Sequence, residues 1–374
     1  MQDITLILLA AGSSTRFGMA AKKQWLYQGD RPLWLDVANN FKDKFHFGKI
    51  VIVSSAKEIV YMKNFADFEY VVGGNSRQQS LSNALQVVQT PYVLVNDIAR
   101  CCIDKDMIDR VISNKDKASC IVPALKSVDT VYLDDTPVDR EQIKLIQTPQ
   151  LSKTKILKEA LSQGKEFTDE SSAIKSMGES VLFVEGSSVA HKLTTQDDLG
   201  KLPCLTKPST RTLVGYGIDI HPFEDGKEMK LCGIEIDSPF GFKAHSDGDV
   251  AIHAIIDALM GAAGMGDIGE LFPDTDDEYA GADSTKLLED VVSRILSFAL
   301  VVNNVDITIL AQTPRLLEYK AQMRAKIASL LKIDKNRVNI KATTAEKLGF
   351  VGRKEGVTVH AVASLQYFDW TERV

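Results

Sequence analysis

Short apolar runs rich in β-branched residues alternate with helix-spaced segments up to about residue 200. The runs predict strands over residues 4–11, 50–54, 92–96, 119–122 and 181–184, and the segments predict helices over 77–88, 104–113 and 154–162. Because alternating strands and helices are typical of a parallel sheet covered on both faces, we expect a Rossmann-like α/β domain. Ligands of such sheets bind beyond the carboxyl ends of the strands.

Residues 128–150 interrupt this alternation with the sequence VDTVYLDDTPVDREQIKLIQTPQ. Apolar positions alternate on both sides of an Asp-Asp-Thr-Pro turn, which predicts a β-hairpin. We expect this hairpin to project from the sheet as an arm.

A segment of low periodicity, residues 199–211, has two prolines and three basic residues, as linkers between domains do. We place the boundary near 208, giving domains 1–208 and 209–374. Beyond it the pattern predicts a strand (LVGYGIDIHPF), an apolar helix (DVAIHAIIDALMGAAG), a strand (VDITILAQ), a helix over 314–331 and two closing strands (VNIKATTA and GVTVHAVASL). This order predicts a two-layer, ferredoxin-like α+β domain.

Composition narrows the class of protein. A chain of 374 residues exceeds what one core usually organises, about 250–300 residues. The net charge of −6 gives no overall attraction to nucleic acid or anionic membranes. The apolar run at 4–11 lacks the basic region that precedes a signal sequence, and no run reaches the roughly 18 apolar residues of a membrane span. We therefore expect a soluble, cytoplasmic protein.

The five cysteines are an odd number without paired spacing, so they predict neither a disulfide framework nor a zinc ribbon. The adjacent Cys101 and Cys102 are most simply buried small apolar side chains. A reducing compartment fits this interpretation.

The first candidate site is the loop in LILLAAGSSTRFGMAAKKQWL, residues 6–26. It matches neither the Walker phosphate loop nor the dinucleotide fingerprint. A tight turn after a buried strand nevertheless exposes backbone N–H groups, and Arg16, Lys22 and Lys23 add positive charge, as in a phosphate cradle. The alternative is an ordinary solvated turn before a helix.

Three later segments favour the cradle. Gly73 and Gly74 precede a helix whose first turn contains Arg77 and Ser80. Asp97 ends a buried strand, where its carboxylate could bind a divalent cation that bridges phosphates. The segment AHKLTTQDDL contains Lys192. Four such features at one sheet edge indicate a nucleotide site.

The motifs AAGSSTRFG, KKQWL, GGNSRQQS, VNDIAR, VDR…TPQ, TDES and HKLT occur in this order over about 200 residues. Together they resemble the cytidylyltransferase that acts on methylerythritol phosphate in non-mevalonate isoprenoid synthesis. The resemblance implies that the substrate phosphate attacks the α-phosphorus of CTP and expels pyrophosphate. It further implies that Mg²⁺ or Mn²⁺ binds at this site and that the hairpin arm forms a dimer contact.

The implied residues fall into two groups. Those for CTP and its metal are Ala10, Ala11, Gly12, Arg16, Lys23, Gly74, Ser80, Asp97 and Lys192, with Lys192 on the pentavalent phosphorus. Those for methylerythritol phosphate are Arg140 and Thr168, supplied by the partner subunit. The chain departs from the family pattern at Ser14, a glycine in the family, at Lys22, a proline, and at Cys101, also a proline.

A second candidate site begins at GIDIHPF, where period-two alternation puts Asp219 and His221 on one strand face. Alone this is usually a polar strand face. Asp249, His253 and Asp257 then recur every four residues along a helix that is otherwise apolar, so we expect that stripe to line a wet site, a metal or a partner. Asp219, His221 and His253 form a three-ligand set suited to catalytic zinc.

The motifs GIDIHPF, AHSDGDVAIHAIIDALMGAAGMGDIGELFPDTD, GADS, NVDITILAQTP and IKATTAEKLGFVGRKEG resemble methylerythritol cyclodiphosphate synthase over nearly this whole half. The resemblance implies that the substrate's own phosphate attacks its β-phosphorus and that CMP leaves. It implies Zn²⁺ on the three-ligand set, Mg²⁺ or Mn²⁺ on Glu346, and a trimer with sites between subunits. The remaining implied contacts are Ser246, Thr344 and Arg353 on the diphosphate, Asp267 on ribose, Ala311, Pro314, Arg315 and Leu316 on cytosine, and His245, Asp257, Phe272 and Asp274 at the methylerythritol end. Ala345 replaces a threonine usual in the family.

The two implied reactions are separated by a kinase step, and nothing in the sequence resembles that kinase. Two independent enzymes on one chain are therefore the simplest expectation, with small-molecule substrates and with dimer and trimer contacts that together would build a hexamer. Two alternatives remain open at this point. One is a sugar-phosphate nucleotidyltransferase fused to a metal-dependent phosphohydrolase, and the other is a regulatory module that binds nucleotide and metal without turnover.

Overall fold

One large sheet organises each of the two units into which the chain divides, Met1–Lys207 and Pro208–Val374. The computed structural model describes residues 2–244, 246–273 and 281–372. Within these residues, no helix is both long and apolar enough to cross a bilayer.

The first unit contains twelve strands and six helices among its described residues. The strands are β1 (Ile4–Leu9), β2 (Tyr27–Gln28), β3 (Arg31–Pro32), β4 (Lys49–Ser54), β5 (Glu69–Val72), β6 (Tyr92–Asp97), β7 (Cys120–Lys126), β8 (Val131–Leu133), β9 (Thr136–Val138), β10 (Lys144–Ile146), β11 (Gln150–Lys153) and β12 (Val181–Glu185). The helices are α1 (Leu33–Lys44), α2 (Ala56–Met62), α3 (Arg77–Leu85), α4 (Lys105–Ser113), α5 (Thr154–Leu161) and α6 (Glu170–Ser176).

The main sheet of this unit has the order β10-β7-β11-β6-β1-β4-β5, and β12 also pairs with β7. Strands β5, β4, β1 and β6 are mutually parallel, which confirms the α/β class. The sheet is mixed because β10 and β11 are antiparallel to β7. These strands follow the β8–β9 hairpin with no crossover helix between, and parallel pairing needs such a crossover.

Burial on both faces of the sheet holds these strands in register. On one face Ile7, Val53 and Val95 pack with Leu81 and Leu157 from the covering helices. Because β1 lies between β4 and β6, the loops that follow these strands meet at one sheet edge, where Leu9 pairs with Asp97.

A disulfide joins Cys102 to Cys204, contrary to the expectation of no disulfide. The two residues are 102 positions apart, and the segment after β12 packs back against the loop after β6, where Leu193 N–H donates to the Ala99 carbonyl. Spacing along the chain could not reveal this pairing. Cys101 is buried, as expected, and its sulfur lies 3.9 Å from that of Cys204.

The second unit contains seven strands and five helices among its described residues. The strands are β13 (Thr212–Asp225), β14 (Met229–Leu231), β15 (Ile234–Ile236), β16 (Phe240–Phe242), β17 (Leu300–Leu310), β18 (Val338–Thr343) and β19 (Gly356–Tyr367). The helices are α7 (Val250–Ala263), α8 (Ile268–Leu271), α9 (Ser284–Ser297), α10 (Lys320–Leu331) and α11 (Gly349–Gly352).

Its main sheet has the order β16-β13-β19-β17-β18, and helix α7 packs on β13 and β19. Gly215 and Gly217 permit this packing, since a Cβ atom there would lie 2.0 and 2.1 Å from carbonyl oxygens of α7. Alternation along β13 therefore turns Asp219 and His221 toward α7. The opposite-facing side chains, Val214, Tyr216, Ile218 and Ile220, are exposed.

Candidate active sites

In the first unit, the loop after β1 lines a cavity of about 370 Å³. Gly73 brings the loop after β5 against it, because a Cβ atom on Gly73 would lie 2.6 Å from the Ala11 Cβ. Ser14 has a φ of 59°, the left-handed conformation that favours the family's glycine. The residues predicted for CTP that line this cavity are Ala10, Ala11, Gly12, Arg16, Lys23, Gly74, Ser80, Asp97 and Lys192.

Asp97 is the electrostatic centre of this cavity. Its Oδ1 accepts a hydrogen bond from Arg77 Nε at 3.0 Å, and its Oδ2 accepts one from Lys192 Nζ at 2.6 Å. Burial raises the pKa of Asp97, but the charges of Arg77 and Lys192 outweigh this effect and lower the pKa to about 2. The carboxylate is therefore ionised throughout the physiological range.

Arg77 also bonds Glu170, a fully buried carboxylate, at 2.7 Å. Arg77 thus joins β6 to α6 and holds Asp97 in place. The sequence suggested an anion-binding role for Arg77 at the start of α3, and it missed this bridge. The signal was present in the TDES motif, which contains Glu170.

The structure separates the two adjacent lysines. Lys23 lines the cavity, and its Nζ donates to the Leu193 carbonyl at 3.3 Å. Burial lowers its pKa, and the charges of Lys192 and Arg16 lower it further. Lys22 instead forms an ion pair of 3.5 Å with Glu58, a buried residue of α2 that does not line this cavity.

A second cavity of about 470 Å³ adjoins the first and shares Arg77, Asp97 and Lys192 with it. Thr168 lines this second cavity. Arg140 lines neither cavity. It is exposed beyond the β8–β9 hairpin, where it donates to the Val128 carbonyl at 3.1 Å.

In the second unit, Asp219, His221 and His253 converge as the sequence predicts. The Asp219 Oδ2 lies 3.2 Å from His253 Nδ1 and 3.6 Å from His221 Nε2, and the three ligand atoms lie within 4.8 Å of one another. Burial lowers the pKa of His253, but the bond to Asp219 outweighs it and raises the pKa. Zinc bonded at about 2.0–2.1 Å places tetrahedral ligands about 3.3 Å apart, so this donor set fits the ion.

Two serines and an aspartate orient His253 from its other side. His253 Nε2 lies 3.1 Å from Ser246 Oγ and 3.0 Å from Ser284 Oγ, and the Ser284 hydroxyl donates to Asp247 at 2.5 Å. The two hydroxyls contact Nε2, so Nδ1 is the ring nitrogen of His253 that faces Asp219. Sequence reasoning missed Ser284 and Asp247, although both lie in motifs that it quoted.

The expectation that Asp249 lines a wet site is wrong. Asp249 is fully buried, caps α7 by accepting from Ile252 N–H, and also accepts from the Cys232 and Gly233 N–H groups. Backbone donors thus satisfy its carboxylate without water or metal. Asp257 is half-buried one helical turn beyond His253 and accepts from Ile268 N–H.

The other predicted residues of this unit differ in their exposure. Thr344 and Glu346 are exposed after β18, with the Thr344 hydroxyl donating to Glu346 at 2.7 Å, and Arg353 is exposed and paired with Glu355. Asp267 caps α8 and Phe272 is buried, whereas Ala311 and Leu316 are buried in the loop that also contains Pro314 and the exposed Arg315. His245 and Asp274 lie outside the described residues.

Comparison with known proteins assigns both units. The sequence model of 2-C-methyl-D-erythritol 4-phosphate cytidylyltransferase matches residues 4–203, and that of the YgbB family matches residues 212–366. The bifunctional enzyme IspD/IspF of Sulfurovum sp. (strain NBC37-1) is 64% identical over 373 residues, covering 100% of both chains, and that of Sulfurimonas denitrificans is 57% identical, covering 100% of this chain and 96% of the relative.

A solved structure agrees with these sequence matches. The structure of the bifunctional IspDF from Campylobacter jejuni has a TM-score of 0.92 and 48% identity, and the match covers 99% of this chain and 100% of that one. The alternative of a nucleotidyltransferase fused to a phosphohydrolase is not favoured. The chain belongs to the bifunctional IspD/IspF family, and it is a cytidylyltransferase and a 2-C-methyl-D-erythritol 2,4-cyclodiphosphate synthase of the methylerythritol phosphate pathway.

Proposed function

We propose that residues 1–208 perform the cytidylyl transfer and residues 209–374 the cyclisation. The division between the two compact units at 207 and 208 and the separate matches of the two family models support this assignment. The observation that carries it is chemical. The first unit collects cations around a nucleotide-sized cavity, and the second collects imidazole and carboxylate donors suited to a metal.

In the first unit, the phosphate of methylerythritol phosphate attacks the α-phosphorus of CTP, and the bond to pyrophosphate breaks. Arg16 and Lys23 neutralise the triphosphate, the backbone of Ala10–Gly12 cradles it, and Gly74 and Ser80 contact the cytidine. Lys192 stabilises the pentavalent phosphorus. Its position in the cavity and its bond to Asp97 support a role in which it moves from that carboxylate to the phosphates.

Asp97 is the proposed ligand for Mg²⁺ or Mn²⁺ in this unit, since both activities of the family depend on metal ions. When the Lys192 ammonium group moves to the phosphates, Oδ2 of Asp97 becomes free for the cation, while Arg77 remains bonded to Oδ1. A bound divalent ion supplies further neutralisation of phosphate charge.

Thr168 and Arg140 are the proposed contacts for methylerythritol phosphate. Thr168 lines the cavity that adjoins the nucleotide cavity. Arg140 lies outside both cavities of its own chain, so we propose that it reaches the acceptor of another subunit and that the hairpin region forms a dimer contact.

In the second unit, the 2-phosphate of the substrate attacks the β-phosphorus and CMP leaves. Asp219, His221 and His253 are the proposed Zn²⁺ ligands, and Glu346 is the proposed ligand for Mg²⁺ or Mn²⁺. Zinc orients and polarises the β-phosphate when bound. Catalysis then consists of positioning and charge neutralisation, so no nucleophilic side chain is needed.

Substrate contacts in the second unit are proposed by motif. Ser246, Thr344 and Arg353 hold the diphosphate, Asp267 holds the ribose and the loop containing Ala311, Pro314, Arg315 and Leu316 holds cytosine. His245, Asp257, Phe272 and Asp274 shape the methylerythritol end.

The exposed positions of Glu346 and Arg353 favour a site completed by a neighbouring subunit. The exposed apolar face of β13, with Val214, Tyr216, Ile218 and Ile220, supports a trimer built on that face. With the dimer contact of the first unit, a hexamer would result.

Two assays test these assignments. Incubation with CTP and methylerythritol phosphate should release pyrophosphate, observed by phosphorus NMR, and CTP should outcompete other nucleoside triphosphates. Incubation with the phosphorylated cytidyl product should release CMP together with a cyclic diphosphate. A linear product would contradict the assignment of the second unit.

A further inference from the structure

Glu58 is a buried carboxylate of the first unit to which no role has been assigned so far. It is 2% exposed in the first turn of α2 and lines neither cavity. Its Oε1 accepts from Trp25 Nε1 at 2.7 Å and from Gln24 Nε2 at 3.0 Å. Its Oε2 accepts from the hydroxyls of Ser55 at 2.7 Å and Ser54 at 3.2 Å.

Gln24 transmits the position of Glu58 to the loop after β1. The same Gln24 Nε2 donates to the Gly12 carbonyl at 3.1 Å, and Gln24 Oε1 accepts from the Ser14 hydroxyl at 3.1 Å. Ser14 Oγ in turn accepts from Lys23 N–H at 3.2 Å. Because the carboxylate accepts only, it fixes which end of the Gln24 amide points to Gly12 and which to Ser14.

Glu58 also separates the two lysines. Its ion pair holds Lys22 at 3.5 Å on the side of α2, whereas Lys23 lines the nucleotide cavity. Without that pair, two adjacent ammonium groups would compete for the same phosphates. One carboxylate therefore fixes both the loop backbone and the choice of lysine.

We propose that Glu58 is a positioning residue for the CTP triphosphate, acting through Gln24 on the loop of residues 10–16 and on Lys23. This inference rests on the proposed assignment of that loop and of Lys23 to the triphosphate. It predicts a selective effect, because the loop lines the nucleotide cavity and is absent from the lining of the adjoining cavity assigned to methylerythritol phosphate.

The test compares Glu58→Gln and Glu58→Ala with Glu69→Gln, which alters an exposed carboxylate paired with Lys49. Loss of hydrogen bonds to a charged group corresponds to about a tenfold or larger effect, so KM for CTP should rise about tenfold in Glu58→Ala. KM for methylerythritol phosphate should stay within about twofold, a split that general loss of structure would not produce. Glu58→Gln keeps the shape and one acceptor, so its KM for CTP should be intermediate.

The synthase activity of the same chain belongs to the other unit and serves as an internal control for the amount of protein in each assay. If Glu58→Ala does not fold, Glu58→Gln and Gln24→Leu carry the test, and each should raise KM for CTP selectively. An unchanged KM for CTP, or an equal rise in both KM values, would overturn the proposal. If the unaltered protein does not turn over CTP, the proposed function fails instead, so the two failures are distinguishable.

Discussion

Lys23→Ala and Lys22→Ala should have very different effects on cytidylyl transfer, although the residues are adjacent. Lys23 lines the nucleotide cavity beside Lys192 and Arg16, and Lys22 is paired with Glu58 outside it. Removing a donor that faces developing transition-state charge costs about 2.7–4 kcal/mol, which corresponds to about 10²–10³ in kcat. Partly exposed ion pairs contribute about 0–1 kcal/mol, so Lys22→Ala should change kcat by a few-fold at most.

Pyrophosphate release at saturating CTP and methylerythritol phosphate measures this difference directly. Saturation matters because a loss in kcat then reports transition-state stabilisation and not ground-state binding. The synthase activity of each variant should be unchanged and serves as the control for the amount of protein in the assay. Equal losses in the two variants would refute the assignment of Lys23, and a larger loss in Lys22→Ala would reverse it.

Three further predictions follow from the geometry. Ser284→Ala removes a hydroxyl from His253 Nε2 and should weaken metal binding by the second unit about 10–100-fold in a chelator competition, while Ser297→Ala, a control at the end of α9, should not. Without reductant the denatured protein should show three titratable thiols, rising to five after reduction, and five thiols before reduction would contradict the disulfide. Cys102→Ser should lower the free energy of unfolding by up to about 4.7 kcal/mol, the chain-entropy value for a loop of about 100 residues. Because the pKa of Lys23 is lowered, this side chain loses its charge as pH rises through a value below 10.5, so kcat/KM for CTP should fall on the alkaline side. Lys23→Arg should shift that fall to higher pH. An unshifted profile would show that another group causes the fall.

The fold was predictable wherever burial imposes a simple pattern. The strands β1, β4 and β6 are apolar because they are buried on both faces of the sheet, so their sequences alone identify them. Helices α1 and α2 escaped prediction. In α1 polar residues separate the buried apolar ones, so the segment is not apolar on average although one face is. Helix α2 is only seven residues long, too short for a clear helical pattern. The antiparallel direction of β11 depends on strand pairing between distant segments, which local periodicity does not encode.

In the cavity lined by the loop after β1, the sequence predicted the lining residues but not how their charges pair. The glycines and cations around the loop after β1 are typical of a phosphate site at a sheet edge, so their convergence followed from topology. The bridge from Asp97 through Arg77 to Glu170 depends on side-chain distances between α3, β6 and α6. A sequence can indicate that charges share an edge, but not which of them neutralise one another.

The cluster of Asp219, His221 and His253 in the second unit shows which periodicity predicts side-chain convergence. Period two along β13 correctly put Asp219 and His221 on one face, because Gly215 and Gly217 on that face force close packing on α7. The prediction of a polar stripe with four-residue spacing along α7 was wrong at Asp249, because this residue is the helix cap and backbone N–H groups satisfy its carboxylate. Helix caps precede the helix, so their side chains need not continue its polar face. A carboxylate just before an apolar helix should therefore be considered first as a cap, before it is counted with the polar residues farther along the helix.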